Sequence, residues 1–326
     1  VRRPRVPVPA RAVHPVRAAA LAAAAALVLS ACSGEAGAGA ATSAGDPESC
    51  PGEVVDVVVS VGHWGDAVRT LGGDCATVTT IVDSAAGDPH EFEPTTGDLA
   101  AFEDAELVVV NGAGYDSWAS SALAGLDPAP AVVEAAEVAG IEGGADGRAT
   151  GTNPHLWYSP ADVQATAEAV TAALSELSPD AASTFTASAE SWAAELKPYR
   201  DAVAELRATA TGRSYAATET VFDLMAAELG LTDATPPGYR DSASNETDPA
   251  PGDIAAFETA LGDGSVDVLV HNTQTEGSIP AQLRDAAEDA GVPVVDVTES
   301  APPGAGSFVA WQLDQLQQLS DALGGA

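Results

Sequence analysis

The chain has 326 residues, with 13 Lys and Arg against 48 Asp and Glu, a formal net charge of −35 and 46% hydrophobic residues. A chain of this length buries a sizeable core as two lobes or domains. The acidity argues against a nucleic-acid binder, because phosphate repels such a surface, and against adsorption to anionic lipid through a basic face.

In chain order, the first feature is an asymmetry of charge. Arg2, Arg3, Arg5, Arg11 and Arg17 precede Ala18, and no acid lies before Glu35. The apolar run 18–28 is of signal-peptide length and too short to span a membrane comfortably. Leu29-Ser30-Ala31-Cys32 follows and resembles a bacterial lipobox. The resemblance implies cleavage before Cys32, a thioether-linked lipid on its sulfur, and anchoring at the outer face of the cell membrane. Buried lipid chains contribute roughly 0.8 kcal/mol per CH₂. Residues 33–49 are small and polar and read as a flexible tether, with the folded part starting near Cys50. Two cysteines remain, Cys50 and Cys75. In an oxidising compartment an even remainder suggests one disulfide, and a βαβ unit would bring the two strand starts together. Two free thiols or a thiolate metal site are the alternatives.

From residue 54 the chain alternates β-branched runs with helical stretches. Strands are predicted at 54–61, 77–82, 107–111 and 131–133. Helices are predicted at 64–71, 95–103 and 115–124, with Gly72-Gly73 ending the first. A glycine-rich stretch, 140–151, leads to a helix opened by Ser159-Pro160 and running to 177. Ser178-Pro179-Asp180 opens a second helical pattern that continues to 210. Pro198 lies inside it and should kink or break it near Lys197. Beyond Gly212, strands are predicted at 214–217, 266–271 and 292–297. Helices are predicted at 218–230, 252–261, 279–290 and 307–323, with a loop over 232–251. Strands alternating with helices give an α/β fold with parallel-type sheets in two lobes, joined by a long connecting helix. The expected organisation is a signal peptide at 1–31, a tether at 32–50, an N-terminal lobe at 51–177, the connecting helix at 178–211 and a C-terminal lobe at 212–326.

The chain beyond Cys32 holds four histidines: His63, His90, His155 and His271. His90 lies in Asp88-Pro89-His90-Glu91-Phe92-Glu93-Pro94, and His155 in Asn153-Pro154-His155-Leu156-Trp157. In each case proline precedes the histidine in a loop and stiffens it, so an imidazole can be held at one angle. Neutral imidazole is the commonest protein nitrogen ligand for transition metals. The first segment resembles DPHxYEPTP, and the second NPHxWLDP, of the metal-binding lipoproteins in cluster A-I of the ABC-transporter solute-binding proteins. That resemblance covers nearly the whole chain from residue 54. It implies two α/β lobes joined by one rigid helix, with His90 and His155 as metal ligands in a cleft between them. It also implies a third ligand at Glu219 in Ala217-Thr218-Glu219-Thr220, with Thr218 capping a helix and Glu219 in its first turn. The fourth is Glu299 in Val297-Thr298-Glu299-Ser300, with Asp296 the second candidate. His63 and His271 are expected in packing or hydrogen-bonding roles, and Trp157 as a wall beside His155.

Two imidazoles and two carboxylates suit Mn²⁺ or Zn²⁺, and the oxygen share leans toward Mn²⁺. The resemblance implies a lipid-anchored receptor that delivers the ion to the permease and ATPase subunits of an ABC importer. No GxxxxGK[ST] occurs, so ATP hydrolysis belongs to another subunit. A monomer is expected. The alternatives are a surface adhesin of the same fold, a binder of another small solute, or a metal-dependent hydrolase. The last is disfavoured because no HExxH occurs and four protein donors close a site.

Overall fold

The strands follow the β-branched runs. In the first sheet they are β1 (Ala41–Ser43), β2 (Val55–Val61), β3 (Ala76–Val82), β4 (Leu107–Val110) and β5 (Ala131–Glu134), in spatial order β1-β3-β2-β4-β5. In the second they are β6 (Ser214–Ala217), β7 (Thr232–Asp233), β8 (Val268–Asn272) and β9 (Val294–Val297), in order β7-β6-β8-β9. The helices are α1 (Gly62–Gly72), α2 (Thr96–Ala101), α3 (Ser117–Leu123), α4 (Ala135–Val138), α5 (Pro160–Leu177), α6 (Ala182–Glu195) and α7 (Lys197–Ala210). They continue as α8 (Asp223–Leu229), α9 (Pro237–Ser244), α10 (Pro251–Gly262), α11 (Ser278–Ala290) and α12 (Phe308–Gly324). This computed structural model describes residues 40–83, 92–141, 152–245, 247–275 and 277–324. The signal-peptide region with Cys32, the ligand candidate His90 and most of the glycine-rich stretch lie outside the described residues.

All strand pairs are parallel except β1 with β3. Parallel strands buried on both faces should be apolar throughout, and β4 is buried at every residue. On one face of the first sheet, Val58, Ile81, Val108 and Val110 pack with Phe102 and Ala119. On one face of the second, Ala216 and Leu269 pack with Phe257, Leu261, Leu283 and Ala287. The other faces share one hydrophobic cluster. It runs from Val57, Val59, Leu107 and Val109 through Leu174, Trp192, Tyr199 and Leu206 to Val268, Val270 and Val297. The two halves therefore meet through a continuous apolar core.

The tether ends earlier than expected. Residues 41–43 form β1, with Ala41 opposite Thr80 and Ser43 opposite Val78. A turn follows in which Asp46 accepts from the Glu48 N–H and the Ser49 hydroxyl. Small side chains fit against the edge of β3, which would otherwise leave a row of unpaired backbone groups. Cys50 and Cys75 are joined by a disulfide (S–S 2.08 Å, Cα–Cα 5.0 Å), which fastens this segment beside the start of β3.

Pro198 breaks the connecting helix into two. α6 ends at Glu195 and α7 begins at Lys197, with Leu196 between them. Proline sits in the first turn of α7, where a missing N–H loses no intrahelical bond. α6 packs on α1 and α5, whereas α7 packs on α8 and α12. The region expected as loop over 232–251 holds β7 and α9.

Candidate metal centre

The strand ends position the site. β4 ends at Val110, β6 at Ala217, β8 at Asn272 and β9 at Val297. Parallel α/β sheets present ligand-binding groups at these carboxyl ends. Three of the four expected ligands lie among the described residues, and the structure brings all three together. One donor atom each from His155, Glu219 and Glu299 lies within 4.8 Å of the others. The His155 Nε2 is 3.8 Å from Glu219 Oε1 and 3.7 Å from Glu299 Oε2. Side-chain exposure is 2% for His155, 12% for Glu219 and 0% for Glu299.

His155 is oriented by the loop that carries it. The Asn153 Oδ1 accepts from the His155 backbone N–H at 2.9 Å and faces its Nδ1 at 2.7 Å. An amide oxygen can only accept, so Nδ1 carries the hydrogen of this contact, and Nε2 is turned toward the carboxylates. Asn153 Nδ2 donates to the Thr220 carbonyl at 2.7 Å, and Asn111 Nδ2 to the Pro154 carbonyl at 2.9 Å. The Asn111 amide is itself fixed by the Trp64 indole N–H at 3.0 Å. Trp157 is fully buried and meets the His155 ring edge-on at 5.3 Å, so it does wall that side.

Glu219 is held differently from the expectation. Its backbone is extended (φ −155, ψ 166), and a short 3₁₀ turn, Thr220–Phe222, separates it from α8. Thr218 caps no helix; its hydroxyl accepts from the Asn272 N–H at 3.1 Å. The Glu219 Oε2 accepts from Asn272 Nδ2 and from the Thr275 hydroxyl, each at 2.5 Å. The same Asn272 amide donates to Glu299 Oε1 at 2.9 Å. Glu299 Oε2 accepts from the Tyr115 hydroxyl at 2.9 Å. Burial, followed by the Glu299 charge, holds the Tyr115 hydroxyl well above its usual pKa, so it stays a donor. The backbone N–H groups of Glu299 and Ser300 both donate to Gln274 Oε1, at 2.7 and 2.9 Å.

The remaining candidates lie elsewhere. Asp296 is engaged by His271 Nδ1 at 3.0 Å and Arg284 at 2.7 Å, so the second candidate for the fourth ligand is taken by another network. The His271 hydrogen bond, with Arg284 beside it, holds the Asp296 carboxyl below its ordinary range. His63 stacks on Trp157 at 3.7 Å and is 2% exposed. Burial pushes its pKa down to about 3, so it packs as a neutral ring.

Sequence reasoning assigned no role to Asn272, Thr275, Gln274, Tyr115, Asn111 or the Asn153 side chain. One signal was present: the apolar strand ending at His271 runs straight into Asn-Thr-Gln-Thr. Amides and hydroxyls at a sheet's carboxyl edge are placed to bind whatever converges there.

The two-sheet architecture thus brings a buried imidazole–carboxylate cluster to the carboxyl ends of the strands, the plan of a two-lobe α/β binding-protein fold. The chain belongs to the family described as zinc-uptake complex component A, periplasmic, which its sequence matches over residues 57–322. It is similar to the manganese-binding lipoprotein MntA of Halalkalibacterium halodurans, 31% identical over 146 residues, which are 45% of this chain and 47% of that protein. It thus spans about half the length of that relative. It is also similar to the high-affinity zinc uptake protein ZnuA of Bacillus subtilis, 24% identical over 255 residues, covering 74% and 76% of the two chains. In fold it resembles a mutant of the laminin-binding adhesin Lmb of Streptococcus agalactiae, with TM-score 0.69, 21% identity and coverage of 82% and 99%. It likewise resembles FpvC of Pseudomonas aeruginosa in complex with Mn²⁺, with TM-score 0.66, 21% identity and coverage of 83% and 98%.

Proposed function

We propose that this chain is a lipid-anchored receptor on the extracytoplasmic face of the cell membrane. It captures one divalent transition ion, Mn²⁺ or Zn²⁺, and hands it to the permease and ATPase of an ABC importer. The observation that carries the reading is the convergence of His155, Glu219 and Glu299 donor atoms within 4.8 Å in a buried site. Two carboxylates and an imidazole together match the charge and donor preference of such an ion. His90, from the Asp-Pro-His segment, supplies the fourth donor, and Cys32 carries the lipid. The names of MntA and ZnuA, manganese-binding and zinc uptake, support the same cargo class. Four protein donors close the coordination sphere, so the site stores and releases an ion and does not activate water at an open position. The protein acts as a monomer. Its lobes run from β1 to about residue 177 and from about 212 to the end, with 178–211 between them.

The test is metal content. Residues 33–326 are purified without lipid or added metal and analysed by mass spectrometry beside His90→Ala/His155→Ala and Glu299→Ala variants. About one Mn or Zn per chain, lost in both variants while folding is kept, is the expected result. A parent chain that neither carries nor takes up Mn²⁺ or Zn²⁺ overturns the reading.

A further inference from the structure

The hydrogen bonds around Glu219 limit how it can bind a metal, and this inference rests on the receptor reading above. A carboxylate offers about four lone-pair sites, two on each oxygen. At Glu219 Oε2 both are used, one by Asn272 Nδ2 and one by the Thr275 hydroxyl, each at 2.5 Å. The other oxygen, Oε1, faces His155 Nε2 at 3.8 Å. Glu299 is braced on both oxygens, by Asn272 at 2.9 Å and by Tyr115 at 2.9 Å. The Asn272 amide cannot turn away, because its own Oδ1 accepts the Gln274 N–H at 3.0 Å and its backbone N–H is fixed by Thr218.

We propose that Asn272 and Thr275 are specificity-determining positioning residues: they restrict Glu219 to a single donor oxygen and so favour four-coordinate Zn²⁺ over Mn²⁺. Mn²⁺ gains most from oxygen-rich, six-coordinate surroundings, which two chelating carboxylates help to provide. Zn²⁺ is satisfied by four donors in a tetrahedron. Counting carboxylates alone leans to Mn²⁺; the two hydrogen bonds that occupy Glu219 Oε2 lean to Zn²⁺. The general affinity order already places Zn²⁺ above Mn²⁺, so the signature of the device is a change in the ratio of affinities and in coordination number.

The experiment uses Thr275→Val, which removes the hydroxyl and keeps the shape, with Thr275→Ser as the restoring variant and Asn272→Ala as a second deletion. Zn²⁺ and Mn²⁺ dissociation constants are measured by chelator competition, and X-ray absorption gives the coordination number of the Mn-loaded and Zn-loaded parent. The expected result is a fall of about tenfold in the Mn²⁺-to-Zn²⁺ ratio of dissociation constants in Thr275→Val, the lower end of what outer-shell partners contribute, with recovery in Thr275→Ser. A Glu219 that chelates Mn²⁺ through both oxygens in the parent overturns the proposal. So does an unchanged ratio in Thr275→Val, whatever the folding of Asn272→Ala. In either case the parent still binds metal and the receptor reading stands. A parent that binds neither ion removes both.

Discussion

His63 shows how a residue near a site can be kept out of its chemistry. Its ring lies flat on Trp157 and meets Trp64 and Tyr115 edge-on. Burial depresses its pKa to about 3, below the value near 6.5 that it has in an unfolded chain. The unfolded state therefore takes up a proton below pH 6.5 that the folded state refuses until about pH 3. Stability is full above that window and falls as the pH drops through it, by about 1.4 kcal/mol per unit. His63→Phe keeps the stack and has no proton to bind, so its stability should decline less steeply between pH 6 and pH 4. Urea unfolding at a series of pH values measures this; parallel curves for parent and variant would rule it out. At this scale the sequence was readable where chemistry is local. The Asn-Pro-His segment carries its own orienting amide two residues before the imidazole. Glu219 was readable as a residue and misread as a conformation. Its side chain is held by Asn272 and Thr275 from another strand's end, more than fifty positions away.

At the scale of elements, local signals placed most boundaries. Ser159 and Pro160 open α5 as a serine cap followed by proline should, with Ser159 Oγ accepting from the Asp162 N–H. Pro198 divides α6 from α7 where proline excludes a continuous helix. β1 was not readable, because Ala-Thr-Ser has no apolar pattern and gains its order from the edge of β3. The Cys50–Cys75 bridge closes a loop with a sequence separation of 25 and holds that edge segment in place. A loop of this size restricts the unfolded chain by about 3 kcal/mol. Cys50→Ser/Cys75→Ser should lower unfolding stability by about that amount while leaving metal stoichiometry unchanged, because the bridge is remote from the donor cluster in the fold. Equal stability of the oxidised and substituted proteins, by chemical denaturation, would refute this.

For the whole molecule, the net charge and the continuous core have separate effects. The charge of −35 raises the local concentration of cations and speeds their encounter with the site. The association rate for Zn²⁺ should fall as salt rises from about 0.01 M to about 1 M, as the screening length shrinks from about 30 Å to about 3 Å. Dissociation, controlled by buried donors, should change little; stopped-flow kinetics separates the two. A rate indifferent to salt would assign capture to the donor cluster alone. The apolar cluster that passes through both sheets opposes large separation of the halves. The two-sheet plan was legible because strand and helix periods alternate along the chain. The shared core was not, since sequence pattern says which face is apolar and not which other face covers it.

Asn153 ties these scales together. Its oxygen holds the imidazole and its nitrogen holds the Thr220 carbonyl, one residue beyond Glu219. A single planar amide is thus a rigid spacer between the nitrogen and carboxylate sides of the cluster. Any force that draws the Thr220 backbone away must twist this amide or pull it off the ring. Either motion removes one restraint on the imidazole as the carboxylate side shifts. On the receptor reading proposed above, unloading then has one mechanical coordinate, along which the two proposed ligands loosen together.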